Sequence, residues 1–197
     1  EIEPWFNADT IGGPLADHRF KDELLHLWHF ANACEGRRGK PSAMQGNNDY
    51  NFSIEGDLAD PDACKVEISE RKRGSPLDKL VAELMIMANA TWGGMLRDAG
   101  IPALYRVQTA GKVRMSTVAA AHEGLGVDCY AWSSSPLRRY CDLLNQWQII
   151  ACARHGKTAA LAAPFKPKDA ELFSIISSFD AAYSAYNGYQ NAIERFW

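Results

Sequence analysis

A single helix start constrains this chain more than any other feature. It is Ser133-Ser134-Ser135-Pro136-Leu137-Arg138-Arg139-Tyr140-Cys141-Asp142, reached through Tyr130-Ala131-Trp132. Ser135 suits an N-cap, because its hydroxyl can accept a free backbone N–H of the first turn. Pro136 suits the first helical position, where a missing N–H costs nothing. Leu137, Tyr140, Cys141, Leu144, Trp147 and Ala151 then recur at three- and four-residue steps. That spacing predicts one apolar face and a helix to about Arg154, ending near Gly156. Arg138 and Arg139 would stand in its first turn, where the helix dipole disfavours cations. An anion held between the helix N-terminus and the two guanidiniums would resolve the conflict, and a phosphate has the right chemistry. The plainer alternative pairs Arg138 with Asp142 and leaves Arg139 in water.

The other elements can be placed around that one. Phe20, Leu24, Leu27, Ala31 and Cys34 predict an amphipathic helix from about Asp17 to Glu35. Asp49-Tyr50-Asn51-Phe52-Ser53-Ile54 and Lys65-Val66-Glu67-Ile68-Ser69 alternate polar and apolar, as half-buried strands of one hairpin do. Asp57, Asp60 and Asp62 lie between them and read as a solvated turn rather than a cation loop. Ser75-Pro76-Leu77-Asp78 opens a helix to about Arg97, apolar nearly all round and so expected to be buried on most sides. Glu83 and Asn89 then become polar groups in an interior and need partners. Ala103-Leu104-Tyr105-Arg106-Val107 and the stretch from Lys112 to Met115 predict short strands, and His122 to Gly126 a glycine-punctuated loop. A last helix carries Leu172, Ile176, Phe179, Tyr183 and Tyr186. His26 and His29 are three apart, but no third metal ligand lies near them in sequence.

At 197 residues the chain makes one domain or a large part of one. A net charge of −3 does not announce a nucleic-acid binder. Local basic clusters at Arg37-Arg38-Gly39-Lys40, Arg71-Lys72-Arg73 and Arg138-Arg139 still suffice to grip phosphates. The five cysteines are scattered, which fits a reducing compartment. With no signal peptide and no long apolar span, the expectation is a cytoplasmic protein with no membrane partner. A start at Glu1 and an end at Trp197 in mid-pattern read as cuts in a longer protein.

Ser-Pro-Leu-Arg-Arg-Tyr-x-Asp after an aromatic and a serine run resembles the signature of the RNB-domain 3′→5′ exoribonucleases, the ribonuclease II/ribonuclease R family. Other blocks agree in order. Arg37-Arg38-Gly39-Lys40 followed by Asp49-Tyr50-Asn51-Phe52 is similar to the family's basic turn and strand. Val81-Ala82-Glu83-Leu84-Met85-Ile86-Met87-Ala88-Asn89 resembles its buried Glu-(Leu/Phe)-Met-x-x-Ala-Asn helix, and Ile101-Pro102-Ala103-Leu104-Tyr105-Arg106 its Pro-Ala-Leu-Tyr-Arg strand. The resemblance covers about residues 20–155.

It implies that residues 1–197 are the C-terminal portion of an RNB catalytic domain: an α+β, predominantly helical part of an α/β domain with a β-barrel core and surrounding helices. It implies a hydrolytic exoribonuclease that takes the single-stranded 3′ end of RNA to nucleoside monophosphates. Arg138 would be catalytic, holding the scissile or 3′-terminal phosphate, with Arg139 as a supporting phosphate contact. Phe52 would stack on terminal bases, Glu83 would orient the terminal nucleotide through a ribose hydroxyl, and Tyr130 and Trp132 would line the pocket. The family's magnesium is held by an aspartate cluster that this sequence lacks. The ligands are therefore expected upstream, in the missing N-terminal part of the same domain, with no metal site in this chain. The piece alone should then be inactive. The rival reading is a non-catalytic RNA-binding or scaffold protein that kept the fold. A weaker third is an unrelated helical domain whose arginines form structural salt bridges.

Overall fold

The structure is a computed structural model that describes residues 6–7, 11, 19–41, 48–57, 59–72 and 74–196. The helices are α1 (Lys21–Arg38), α2 (Pro76–Asp98), α3 (Tyr140–His155), the short α4 (Ala159–Ala162) and α5 (Ala170–Phe196). Two antiparallel hairpins interrupt them: β1 (Asn48–Glu55) with β2 (Lys65–Lys72), and β3 (Tyr105–Thr109) with β4 (Lys112–Ser116). The chain is α+β and mostly helical, as expected. Among the described residues the strands make two separate two-stranded sheets and no barrel.

Local chemistry explains most boundaries. The Ser75 hydroxyl accepts the Asp78 N–H at 3.2 Å, and Asp78 reaches back to the Gly74 N–H at 3.2 Å. This reciprocal cap, with Pro76 behind it, starts α2 where the sequence predicts. Residue 17, the expected start of the first helix, lies outside the described residues. That helix runs past Glu35 to Arg38 and stops at Gly39, whose φ of 65° closes it. In the hairpin loop Asp57 accepts the Ala59 N–H at 2.9 Å and Asp60 the Asp62 N–H at 3.1 Å, the local turn bonds expected of a solvated loop.

Two expectations are corrected. First, α2 is not buried on most sides. Leu80, Glu83, Ile86, Asn89, Gly93 and Leu96 form its buried face, while Val81, Met87 and Trp92 are exposed. Its composition is apolar all round, but the described neighbours cover one face. Second, the central helix begins at Tyr140, not Pro136. Ser135 O accepts the N–H groups of Arg138 at 3.3 Å and Arg139 at 3.1 Å, which closes one turn. Arg139 then takes an extended conformation, φ −132° and ψ 114°, and occupies the N-cap position itself. Ser135 therefore caps nothing. Leu137 is fully exposed, and Tyr140 and Trp147 are exposed as well. The buried face of α3 is instead Cys141, Asp142, Leu144, Asn145, Gln148 and Ala151.

The core has three parts. Leu96, Ile101, Ala103, Tyr105, Val107, Cys129, Ala131 and Ala151 join α2, β3, the 129–131 segment and α3. Ile86, Leu104, Tyr130, Trp132, Leu144 and Leu172 carry that packing on to α5. Phe6, Ala31 and Leu80 hold α1 on α2. Gly93 permits the closest approach: a Cβ there would stand 3.1 Å from Ala131 N and 3.1 Å from Cys129 Sγ. Helix α2 therefore lies directly against the segment that leads to the arginines.

Candidate active site

The segment from Tyr130 to Arg139 is not helical or stranded, so its backbone polar groups need other partners. Helices on both sides supply them. From α2, Asn89 Oδ1 accepts the Ser133 N–H and hydroxyl, each at 2.9 Å. Its Nδ2 donates to Tyr130 Oη and Ser134 Oγ, each at 3.3 Å. From α3, Asn145 Nδ2 donates to Trp132 O at 2.7 Å, and Gln146 Nε2 to Ser133 O at 2.7 Å. Asn145 also exchanges bonds with Leu104, accepting its N–H at 2.8 Å and donating to its carbonyl at 2.9 Å. Gln148 does the same for the next loop, donating to Pro102 O at 2.8 Å and accepting the Phe165 N–H at 3.2 Å. Three amide side chains thus fasten the arginine-bearing segment to two helices.

Asp142 completes the frame. Its fully buried carboxylate accepts the Ser135 N–H at 2.8 Å and the Arg139 guanidinium twice, at 2.8 Å each. Arg139 also lies over the Trp132 ring at 4.1 Å, and Arg106 lies over the same ring at 4.3 Å. Phe179 and Tyr183 of α5 meet Trp132 edge-on. The plainer sequence alternative has the partners reversed: Arg139, not Arg138, pairs with Asp142. Arg138 is exposed at the turn, and among the described residues its side chain has neither ion pair nor hydrogen bond. An arginine held at a rigid turn with an unspent guanidinium is ready to take a bidentate anion.

Tyr130 and Trp132 are 7% exposed each and belong to the core. Among the described residues they pack beneath the segment that carries the arginines. Trp132 carries Arg139 and Arg106 against its ring, and the Tyr130 ring meets His122 edge-on. Glu83 is buried, and its carboxylate is gripped by Arg38 of α1, through Nη2 and through Nε at 3.3 Å. Arg38 Nη1 also donates to Leu125 O, which ties α1 to the glycine loop. Arg38 and Glu83 share the wall of a cleft of about 440 Å³ with Arg37, Arg97, Thr91 and Asp128. Phe52 is half-buried on β1, opposite Ile68, and belongs to none of the three core groups.

His122 is buried with its Nδ1 unbonded and its ring edge-on to Tyr130 at 5.5 Å. Burial, helped by the nearby Arg106 charge, holds its pKa below the usual histidine value. Among the described residues nothing bonds its Nδ1 to orient it as a base. Among the described residues no group of three or more His, Cys, Asp or Glu is placed to hold a metal. One carboxylate oxygen of Asp57 and one of Asp60 each accept a backbone N–H. Among the described residues the side chains present do not fit a magnesium centre. Among the described residues no helix is long and apolar enough to cross a membrane.

Sequence reasoning missed Asn145 and Gln148, and it named Arg38 and Arg106 without finding their contacts with Glu83 and Trp132. Asn145 and Gln148 carried a signal, since they fall at helical spacing on the same stripe as Cys141, Leu144 and Ala151. The partners of Arg38 and Arg106 are remote in sequence and left none.

A sequence model of the RNB domain matches residues 109–155, the stretch that carries the fastened turn and α3. Over that stretch the chain is similar to the RNB-domain family. The chain is 31% identical over 102 residues to the uncharacterized ribonuclease sll1290 of Synechocystis, covering 39% of this chain and 15% of that protein. It is 47% identical over 38 residues to the human 3′-5′ exoribonuclease HELZ2, covering 19% of this chain and 1% of that one. In fold it is similar to the Dss1 exoribonuclease of Candida glabrata, crystallised as an active-site mutant. The TM-score is 0.67 at 19% identity, over 89% of this chain and 27% of that one. The chain therefore spans under a third of each relative's length.

Proposed function

We propose that this chain is the C-terminal portion of the catalytic domain of a hydrolytic exoribonuclease. The enzyme would shorten single-stranded RNA from its 3′ end and release nucleoside monophosphates. One observation carries the reading: Arg138 is exposed and unpaired among the described residues, on a turn that Asn89, Asn145, Gln146 and Asp142 hold still. A donor fixed in advance where negative charge grows on a phosphoryl group stabilises the transition state without reorganising. Arg138 takes that role. Magnesium, with the carboxylates that hold it, is assigned to a part of the domain outside residues 1–197, and would supply charge neutralisation and an activated water. Phe52 is assigned to stacking against a terminal base, which requires no base identity.

The test uses the whole protein that carries this chain. With 3′-labelled single-stranded RNA and magnesium, labelled mononucleotide should be released from the first turnover, and chelation should stop it. Residues 1–197 alone should release none. RNA bound tightly but left intact by the whole protein would replace this reading with the non-catalytic binding one.

Glu83 is assigned to the ribose of the terminal nucleotide. Two Arg38 donors occupy part of its oxygen capacity and fix its plane, and lone pairs remain for a hydroxyl. A hydrogen bond to a charged group contributes about 1.5–3 kcal/mol. Glu83→Gln should therefore lower the RNA-over-DNA cleavage ratio by roughly tenfold or more. The comparison is made at a temperature where both proteins are folded. An unchanged ratio with a lower melting temperature would leave Glu83 a purely structural partner of Arg38.

A further inference from the structure

Arg139 sits beside Arg138 in sequence, but its surroundings differ. Its guanidinium meets the buried Asp142 carboxylate through Nε at 2.8 Å and Nη2 at 2.8 Å. Its charge is matched there, its side chain is largely buried, and it rests on the Trp132 ring. The Asp142 oxygen that accepts Arg139 Nη2 also accepts the Ser135 N–H at 2.8 Å. One carboxylate therefore ties both ends of the Ser135–Arg139 turn. Between the ties stand Pro136, the fully exposed Leu137 and Arg138.

We infer that Arg139 is a positioning residue, a latch that sets the angle of the Arg138 turn by bridging Asp142 and Trp132, and that it does not hold substrate phosphate. The inference rests on the role given to Arg138 above. Three physical features support it. The fork geometry of a guanidinium meets a carboxylate edge and an aromatic face at once, which an ammonium cannot do. A paired, buried cation attracts a phosphate far less than a free one. Positioning errors of about 1 Å can cost a hundredfold in rate, so a latch one residue away has leverage over turnover.

The experiment measures kcat, KM and the salt dependence of RNA binding in the whole protein. The variants are Arg139→Ala, Arg139→Lys, Asp142→Asn, the Arg139→Ala/Asp142→Asn pair, and Arg138→Ala as reference. A latch predicts that Arg139→Ala lowers kcat by roughly ten- to a hundredfold, with KM and the salt slope unchanged. Arg139→Lys should be nearly as impaired, because it keeps the charge but loses the fork. The paired variant should lose less than the product of the two single losses, since both changes break the same guanidinium–carboxylate bonds and only Asp142→Asn also touches the tie to Ser135. Arg139→Lys alters neither the stem nor the net charge, so it stays informative even where Asp142→Asn fails to fold.

Direct phosphate contact predicts the opposite pattern. Arg139→Lys would keep its rate, and Arg139→Ala would lose about 0.7 in the slope of log affinity against log salt, the share of one single-strand phosphate. That pattern overturns the latch while leaving the role of Arg138 intact. Full turnover in Arg138→Ala would instead overturn the reading beneath it, and the latch with it.

Discussion

Replacing Arg138 by Ala in the whole enzyme is expected to cut single-turnover cleavage by about 10²–10³-fold, the loss of one preorganised charge-stabilising donor. The fold should hold. Arg138 has neither ion pair nor side-chain hydrogen bond among the described residues, and it is exposed, so truncation leaves no buried partner behind. RNA affinity should change far less than rate, because the guanidinium is proposed to act on charge that develops in the transition state. Rapid-quench measurement with 3′-labelled RNA at saturating enzyme reads the chemical step apart from binding. Wild-type rates in that assay would remove Arg138 from the chemistry.

The second large effect is on stability. Arg38→Ala should destabilise the chain by about 3–5 kcal/mol, because it strands the Glu83 carboxylate in the interior without a counter-charge. It also removes the donor to Leu125 O that ties α1 to the glycine loop. The double variant Arg38→Met/Glu83→Leu should recover most of the loss, since apolar side chains of similar volume need no compensation when both charges go. Urea melts of the three proteins decide this. If Arg38→Ala and the double variant melt alike, the buried pair contributes little and the tie to Leu125 carries the effect.

The comparison of these two arginines shows how far the linear sequence reaches. Arg138 could be singled out from its neighbours alone, because serines, a proline and a following helical stripe mark a turn whose chemistry is local. The same holds for the Ser75 cap of α2, the Asp57 and Asp60 turns, the β1–β2 hairpin, and the last helix. Caps and turns find their partners within a few residues, and the strands and helix are marked by their own apolar period, so local preference acts before any tertiary contact forms. The resemblance to the RNB family was also carried by blocks in order along the chain, and the match over residues 109–155 agrees with it.

Other features were decided only in three dimensions. Ser135 and Pro136 favour a helix start, yet α3 begins at Tyr140, because Asp142 pulls the Ser135 N–H and the Arg139 guanidinium onto one carboxylate. Tyr130 and Trp132 owe their burial to α2, α3 and α5, which close over them. Glu83 reads as a buried acid in need of a partner. That partner is Arg38, forty-five residues earlier, on another helix. A sequence states which groups must be satisfied. It cannot state which distant group satisfies them, because that choice is made when helices pack and water leaves. By itself the sequence marked most of the elements, the importance of Arg138 and the resemblance to the RNB family. Packing decided that Arg138 is free and Arg139 is not, because a single buried carboxylate was within reach of only one of them.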